Sequence, residues 1–371
     1  MPVEVSAIIR WMEQLAPARL AEPEDPIGLQ LGAPDRSVSK VAVTLEVTEA
    51  VAEEAMKRGA ELIISHHPII FRPLQALRTD RPDGRLMEKL LRNGQSVYVA
   101  HTNLDVAKGG VNDMLAVALG LLEAVPLRPS VAEALYKLAV FVPMEHEEAV
   151  KEAMFHAGAG WIGEYKHCSF TTEGTGSFLP LEGATPFLGA VGRVEKVREV
   201  KVETIVPEEK KEAVIRALIS AHPYEEPAYD VYRLELEGER MGLGRIGALP
   251  RIVSLREFSK HVKQALNVPY VRVVGNPDKD IRKVAVLGGS GRSFWKQALA
   301  SGADAYVTGD IDHHTAHDAL AAGLAIVDPG HHVEEIMKEG VARRLNDWFR
   351  EKGMDAEAYA SPVRTEPFAF M

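Results

Sequence analysis

Two blocks of alternating strand-like and helix-like sequence constrain the fold of this chain more than any other feature. In the first block, short β-branched and aliphatic runs at 41–45, 62–64 and 97–100 are separated by stretches with helical periodicity at 48–58 and 86–93. Continuous apolar runs of this length are typical of strands that are buried on both faces. The order predicts a βαβαβ unit with a parallel sheet.

The same alternation returns in the last third of the chain. Strand-like runs lie at 284–287, 305–307 and 324–327, and helix-like stretches lie at 294–300, 315–322 and 332–351. The fold class predicted from both blocks is therefore α/β, with two α/β halves that together form one unit.

The middle of the chain has a different order. From about 137 to 236 it reads strand, helix, Gly/Thr-rich hairpins, strand, helix and strand, a small α+β module with a repeated β-α-β order. Pro and Gly interrupt the periodicity on both sides of it. We predict a first α/β half at 1–127, an α+β insert at 128–241 and a second α/β half at 242–371.

Composition limits the chemistry and the partners. The 371 residues include 43 Lys+Arg, 53 Asp+Glu and one cysteine, Cys168, and the formal net charge is -10. A single cysteine allows no thiolate cluster, so any metal must be held by imidazole and carboxylate groups. The acidic balance disfavours nucleic acid and favours a small-molecule substrate. Neither a signal peptide nor a membrane span is indicated, and we expect a cytoplasmic protein.

Histidines occur where the predicted strands end. His66 and His67 follow the second strand of the first block, and His101 follows the third, with Asp105 four residues later. His331 follows the last strand of the second block. In an open α/β sheet the carboxyl ends of the strands share one edge, where ligands bind. We therefore expect these side chains to converge on one site.

The spacing of these residues predicts a site for two divalent metal ions per subunit. His331 and Glu335 are four residues apart at a predicted helix start, which places an imidazole and a carboxylate on one face. Asp105 adds a second carboxylate, and either acid could bridge two ions. His66 and His67 leave their strand in different directions, so each can serve a different ion. These ligands suit Zn, Mn, Fe, Co or Ni.

Two other constellations are open to more than one interpretation. Asp310, His313, His314 and His317 form a rival ligand set on the helix near 315–322, since His313 and His317 also have a four-residue spacing. The segment Gly288-Gly289-Ser290-Gly291 is either a tight turn, which we favour, or a phosphate anchor.

The sequence resembles the NIF3-like family, dinuclear-metal proteins also called GTP cyclohydrolase 1 type 2 homologues. The matching residues are Ser65-His66-His67-Pro68-Ile69-Ile70-Phe71, His101-Thr102-Asn103-Leu104-Asp105, Thr308-Gly309-Asp310 with His313-His314, and Gly330-His331-His332-Val333-Glu334-Glu335. The insert is similar to the ferredoxin-like PII/CutA-like domain of a longer bacterial branch, and its best marker is the segment from His222 to Asp230. We interpret Glu225 and Glu226 there as exposed acids at a helix end, although an effector-binding or trimer-contact loop is the alternative.

The resemblance implies a ligand set of His66, His67, Asp105, His331 and Glu335 for two metal ions. It places His101 beside them as an extra ligand or a supporting group, and His313 and His314 in the substrate pocket. The family usually has an aromatic residue and an amide in the segment that here reads Glu24-Asp25-Pro26-Ile27-Gly28-Leu29-Gln30. A role of that segment in the substrate pocket is therefore open.

The predicted metal site indicates a class of reaction but not a substrate. Two metal ions would supply hydroxide at neutral pH, which predicts a hydrolase. The family resemblance suggests ring-opening hydrolysis of a purine nucleotide and a toroidal homohexamer. The alternative is a metal-containing ring-shaped module that binds nucleic acid or an effector through its insert without turnover.

Overall fold

The computed structural model describes residues 3–369, and their secondary structure follows the predicted alternation. In chain order the strands are β1 (Val3–Glu4), β2 (Gly28–Leu31), β3 (Ser37–Val38), β4 (Lys40–Thr44), β5 (Leu62–Ser65), β6 (Ser96–Val99), β7 (Leu122–Pro143), β8 (Ser169–Phe178), β9 (Glu195–Pro207), β10 (Tyr229–Ser254), β11 (Arg272–Val274), β12 (Asp280–Ser290), β13 (Ala305–Gly309), β14 (Ala325–Asp328) and β15 (Glu357–Ala360). The helices are α1 (Val5–Leu15), α2 (Glu49–Arg58), α3 (Pro82–Arg92), α4 (Thr102–Val106), α5 (Val111–Ala118), α6 (Glu147–His156), α7 (Lys211–Ala221), α8 (Leu255–Ala265), α9 (Trp295–Ala300), α10 (His313–Ala321) and α11 (Ile336–Glu351).

Contacts divide the chain into two units. The first unit contains the chain up to Val131 and again from Met241, and the second contains Ala132–Arg240. The chain passes between the units inside the two long strands β7 and β10. Among residues 3–369, no helix combines the length and the apolar character that a membrane span requires.

The first unit contains a five-stranded sheet with the order β15-β4-β5-β6-β2. Strands β15, β4, β5 and β6 are parallel, and β2 is antiparallel to β6. Every residue of β5 and β6 is buried, as their continuous apolar sequences predicted. The parallel βαβαβ order of the first block is confirmed, and the carboxyl ends of β5 and β6 lie side by side.

A second run of strands in the same unit has the order β11-β14-β13-β12-β10. Strands β12, β13 and β14 are parallel, as predicted, and β11 and β10 pair antiparallel at either side. Large buried side chains from both blocks, including Ile64, Val307 and Val341, belong to one hydrophobic core. This packing fixes the first and last thirds of the chain against each other.

The second unit has the element order β7, α6, β8, β9, α7 and β10, with the strand order β10-β7-β9-β8. Strand β9 pairs antiparallel with β7 and with β8. Its own core forms between the sheet and the two helices, from residues such as Val140, Met154 and Leu218.

Candidate metal centre

Four histidines from three strand ends converge within the first unit. His66 and His67 directly follow β5, His101 follows β6, and His331 lies just beyond β14. The rings of His66 and His101 are 5.2 Å apart, and those of His67 and His331 are also 5.2 Å apart. Asp105, on the short helix α4, brings its carboxylate to 3.6 Å from Nε2 of His66. The strand-end arrangement thus assembles the side chains that the sequence placed there.

The last carboxylate of the cluster is Glu334, where the sequence analysis had placed Glu335. The segment His331–Glu335 is a 3₁₀-helix that precedes α11, and in a 3₁₀-helix residues three apart share a face. Glu334 Oε2 consequently lies 3.3 Å from His331 Nε2. Glu335 instead pairs with Lys338 at 2.9 Å and with His332 at 3.6 Å.

Each of the four imidazoles is anchored through Nδ1, which leaves Nε2 directed at the neighbouring ligands. The four anchoring contacts are His66 to the carbonyl of Ala100 at 2.8 Å, His67 to Glu46 at 3.0 Å, His101 to Asp25 at 2.7 Å and His331 to Asp310 at 2.7 Å. When Nδ1 donates to such an acceptor, Nε2 is left to bind a cation. This is the arrangement found around histidine ligands of metals.

Two sets of three side chains share the Glu334 carboxylate. Glu334 Oε2 is 3.1 Å from His67 Nε2 and 3.3 Å from His331 Nε2. Its other oxygen, Oε1, is 3.8 Å from His66 Nε2, next to Asp105. In each set one ligand atom from every member lies within 4.8 Å of the others. His101 forms a further such set with His66 and His67.

The polar atoms of this cluster fit a divalent cation. His66 Nε2 and Asp105 Oδ1 are both buried, and neither has a hydrogen-bond partner among the residues that the structure describes. A buried polar atom without a partner costs about 1–3 kcal/mol, so a native protein rarely keeps two of them side by side. A cation between them would satisfy both, and imidazole with carboxylate is a donor set typical of Zn, Mn and Fe.

Burial and neighbouring charges both shift the pKa values of the groups in this cluster. Burial opposes a proton on His67, but Glu334 and Glu46 outweigh it and raise its pKa to about 10. The Glu334 carboxylate, with help from Asp310, raises the pKa of His331 to about 9, although burial opposes the shift. Burial raises the pKa of Asp105 to about 6, although His66 opposes the shift. In the metal-free protein at pH 7, His67 and His331 therefore each carry a proton that a bound cation would displace.

Glycines create the space that Glu334 occupies. A Cβ on Gly289 would lie 2.4 Å from Glu334 Oε1, and Gly289 has φ of +60°, a region that other residues rarely adopt. Gly288 and Gly289 therefore leave room for the shared carboxylate. Neither the tight-turn interpretation nor the phosphate-anchor interpretation included this contact.

A cleft of about 500 Å³ opens beside the histidines. Its walls include Phe71, His101, Asp310 and Phe368. Phe71 is 63% exposed and Phe368 is 70% exposed, so both rings offer apolar surface to a ligand in the cleft.

His313 and His314, predicted to line the substrate pocket, are exposed on α10 and are not among the residues that line this cleft. Asp312 caps α10 by accepting from the backbone N–H of His314, and the helix turns its histidines to the surface. His317 follows them on the same helix, and its ring is 4.5 Å from that of His313. None of the three belongs to a ligand set in the described part of the chain.

Sequence reasoning missed the carboxylates that anchor the histidines. Glu46 lies just beyond the carboxyl end of β4, a position that the strand-end rule could have identified. Asp25 belongs to the segment whose role was left open, and it also accepts from the backbone N–H of Thr102 at 3.0 Å. Asp310 has φ of +57°, a costly conformation for a residue with a side chain, and it meets His331 from there.

The fold and the cluster together define an α/β protein with a histidine–carboxylate centre, suited to divalent metals, at the carboxyl ends of parallel strands. The chain belongs to the Duf34/NIF3 (NGG1p interacting factor 3) family, whose model matches residues 3–367. The resemblance to the NIF3-like family is thereby confirmed.

Relatives and solved structures agree with this assignment over nearly the whole chain. Proteins from Halalkalibacterium halodurans and Bacillus subtilis, each named GTP cyclohydrolase 1 type 2 homolog, are 51% and 50% identical over 364 residues, which is 98% of this chain and 98% of each relative. The crystal structure of a Bacillus cereus protein related to NIF3 has a TM-score of 0.93 at 49% identity and covers 100% of this chain and 99% of its own. A Staphylococcus aureus structure has a TM-score of 0.74 at 31% identity, with coverage of 100% and 99%.

Proposed function

We propose that this protein is a hydrolase that depends on two divalent metal ions. One ion would be held by His67, His331 and Glu334, and the other by His66, Asp105 and Glu334. The observation that carries the proposal is the Glu334 carboxylate, whose two oxygens face different histidines at 3.1–3.8 Å. In this proposal Glu334 has the bridging role that the sequence analysis gave to Glu335.

Bound ions would polarise a substrate and lower the pKa of water to near 7, which makes hydrolysis feasible at neutral pH. Side chains of the protein would carry out the proton transfers. Asp25 fixes the tautomer of His101 by accepting from its Nδ1, so that Nε2 is free to take up a proton. The partly exposed imidazole of His101 lines the cleft and can pass that proton to solvent or to a leaving nitrogen.

The cleft supports a planar anionic substrate. Phe71 and Phe368 offer exposed rings on which a base can stack. A second cavity, of about 320 Å³, shares His331 and Phe368 with the cleft, but its Arg272 is already paired with Asp328. The phosphates of a purine nucleotide would therefore rely on the bound metal ions, while its base stacks on the exposed rings.

We propose ring-opening hydrolysis of such a nucleotide, and the name of the curated relatives makes GTP the first substrate to test. Water would add across one C–N bond of the imidazole ring. Its oxygen would join the carbon that lies between the two ring nitrogens, and a proton would go to the nitrogen that is released.

The test is turnover of GTP by metal-loaded protein, followed by chromatography of the nucleotide and elemental analysis of the protein. We expect His101→Gln to lower kcat while the metal content stays unchanged, and His317→Gln, on the exposed face of α10, to behave like the parent. Metal-loaded protein that leaves GTP and simple phosphoesters intact would contradict the hydrolase. That result would favour the alternative, a metal-containing ring-shaped module that binds nucleic acid or an effector without turnover.

Three further proposals concern organisation. We propose that residues 128–241 form a ferredoxin-like, PII/CutA-like insert, which the strand order β10-β7-β9-β8 supports. We propose a cytoplasmic homohexamer, for which light scattering should give about six times the 40.6 kDa of one chain. Nucleic acid remains disfavoured as a partner because the chain carries a formal net charge of -10.

A further inference from the structure

A cavity of about 600 Å³ lies within the second unit, and the metal centre makes no use of it. Its walls come from the end of β8, from the segment 179–188 and from the segment 224–228. The two segments are joined by a hydrogen bond from the backbone N–H of Thr185 to Glu225 at 2.9 Å. Pockets of this size bury small organic molecules.

Three aromatic rings form one wall of the cavity. The ring of Tyr224 lies 5.9 Å from that of Phe178 and 6.3 Å from that of Phe187. Phe187 is 51% exposed, so much of its surface has no protein contact. The faces of aromatic rings carry negative charge density and attract organic cations.

A buried carboxylate completes the wall. Glu199 is only 7% exposed and accepts a hydrogen bond from the hydroxyl of Tyr224 at 2.8 Å. A Cβ on Gly176 would lie 2.0 Å from Glu199 Oε2, so the absence of a side chain at Gly176 lets the carboxylate lie against β8. A charged group is expensive to bury unless a partner compensates it, and one tyrosine hydroxyl compensates it only in part.

The remaining charges around the cavity have the same sign. Glu225 and Glu226 also line it, and none of the described residues that line it is a lysine, an arginine or a histidine. His222 packs against Tyr224 at 5.1 Å, but burial lowers its pKa, so it is neutral at pH 7 and does not offset the carboxylates. The potential in the cavity therefore favours a cation.

We propose that this cavity is a binding site for a small organic cation, such as a protonated amine attached to an apolar or aromatic group. The ammonium group would pair with Glu199 and contact the rings of Phe178, Phe187 and Tyr224. The apolar part would lie against Leu179, Pro186 and Leu188. Such a ligand would provide the cationic partner that the buried Glu199 carboxylate lacks among the residues lining the cavity.

The probe is 2-phenylethylammonium, and 2-phenylethanol and 3-phenylpropanoate are its neutral and anionic counterparts of similar shape. Titration of the full-length protein, followed by ligand-observed NMR and calorimetry, should give saturable binding of the cation. We expect the neutral and anionic compounds to bind at least ~10-fold more weakly. Two results would overturn the proposal: equal binding of 2-phenylethanol, or no saturation by the cation at concentrations up to about 50 mM, the weak end of fragment affinities.

Matched variants assign the binding to this cavity. Glu199→Gln keeps the shape and removes the charge, so it should abolish the preference for the cation. Phe187→Ala removes an exposed ring without disturbing the core and should weaken the cation several-fold. Glu182→Gln changes a charge in the same segment outside the cavity wall and should have no effect. Unchanged binding to both Glu199→Gln and Phe187→Ala would refute the site, and the outcome is independent of the metal centre.

Discussion

The choice between Glu334 and Glu335 gives the sharpest test of the metal centre, because we expect substitution of Glu334 to weaken metal binding strongly and substitution of the adjacent Glu335 to leave it almost unchanged. Glu334→Gln removes the one carboxylate that belongs to both sets of three ligands. Each set would keep two of its three members. Loss of a group that only supports a ligand weakens metal binding about 10–100-fold, so we expect loss of this shared ligand to cost at least ~100-fold at both positions, or about 2.7 kcal/mol each.

Glu335→Gln removes an ion pair with Lys338, whose side chain is only 11% exposed, whereas that of Glu335 is 36% exposed. Because the ammonium group left behind is largely buried, the free energy of unfolding should fall by more than the ~0–1 kcal/mol of an exposed pair, but every ligand stays in place. Metal affinity should therefore stay within about threefold of the parent.

The assay is calorimetric titration of metal-free protein with Zn or Mn, together with elemental analysis after gel filtration. Thermal unfolding of each metal-free variant shows whether the fold is intact. If Glu335→Gln loses its metal while Glu334→Gln keeps full occupancy, the assignment from the 3₁₀ geometry is wrong.

Three other predictions concern the same centre. Without metal, His67 and His331 have pKa values of about 10 and 9, so each must release a proton when metal binds. Release of two protons means that metal affinity should rise about 100-fold per pH unit below pH 9. The same affinity at pH 7 and pH 8 would contradict this prediction. Gly289→Ala should displace the shared carboxylate and lower metal occupancy, whereas full occupancy would show that the contact is not required. Asp25→Asn should lower kcat through loss of the His101 orientation with little change in metal content, and it fails as a prediction if turnover is unaffected.

The sequence was sufficient to predict the parallel strands and the histidines at their ends. Continuous apolar runs identify buried strands, and the shared edge of a parallel sheet then brings His66, His67, His101 and His331 together. Strand burial and the shared sheet edge follow from short, uninterrupted apolar stretches and do not depend on side-chain conformation.

The sequence was insufficient where local backbone geometry determines which side chain reaches the site. A spacing of four residues selects Glu335 if the turn is α-helical, but the turn is a 3₁₀-helix and selects Glu334. Asp25 is a single acid in a loop, and no spacing distinguishes it from an exposed acid. The sequence pattern grouped Asp310 with His313 and His317, whereas the structure places it against His331. His313 and His314 share a motif with the family, but the motif does not reveal which way α10 faces.

The distance along the chain between the ligands has a consequence for biosynthesis. Glu334 is 267 positions beyond its neighbour His67, and the whole second unit is translated between them. A ribosome must therefore translate the first block, the insert and most of the second block before the proposed ligand sets are complete. Nascent chains that stop earlier would keep the set formed by His66, His67 and His101 but lack both sets that contain Glu334, so full metal affinity should report on completed synthesis.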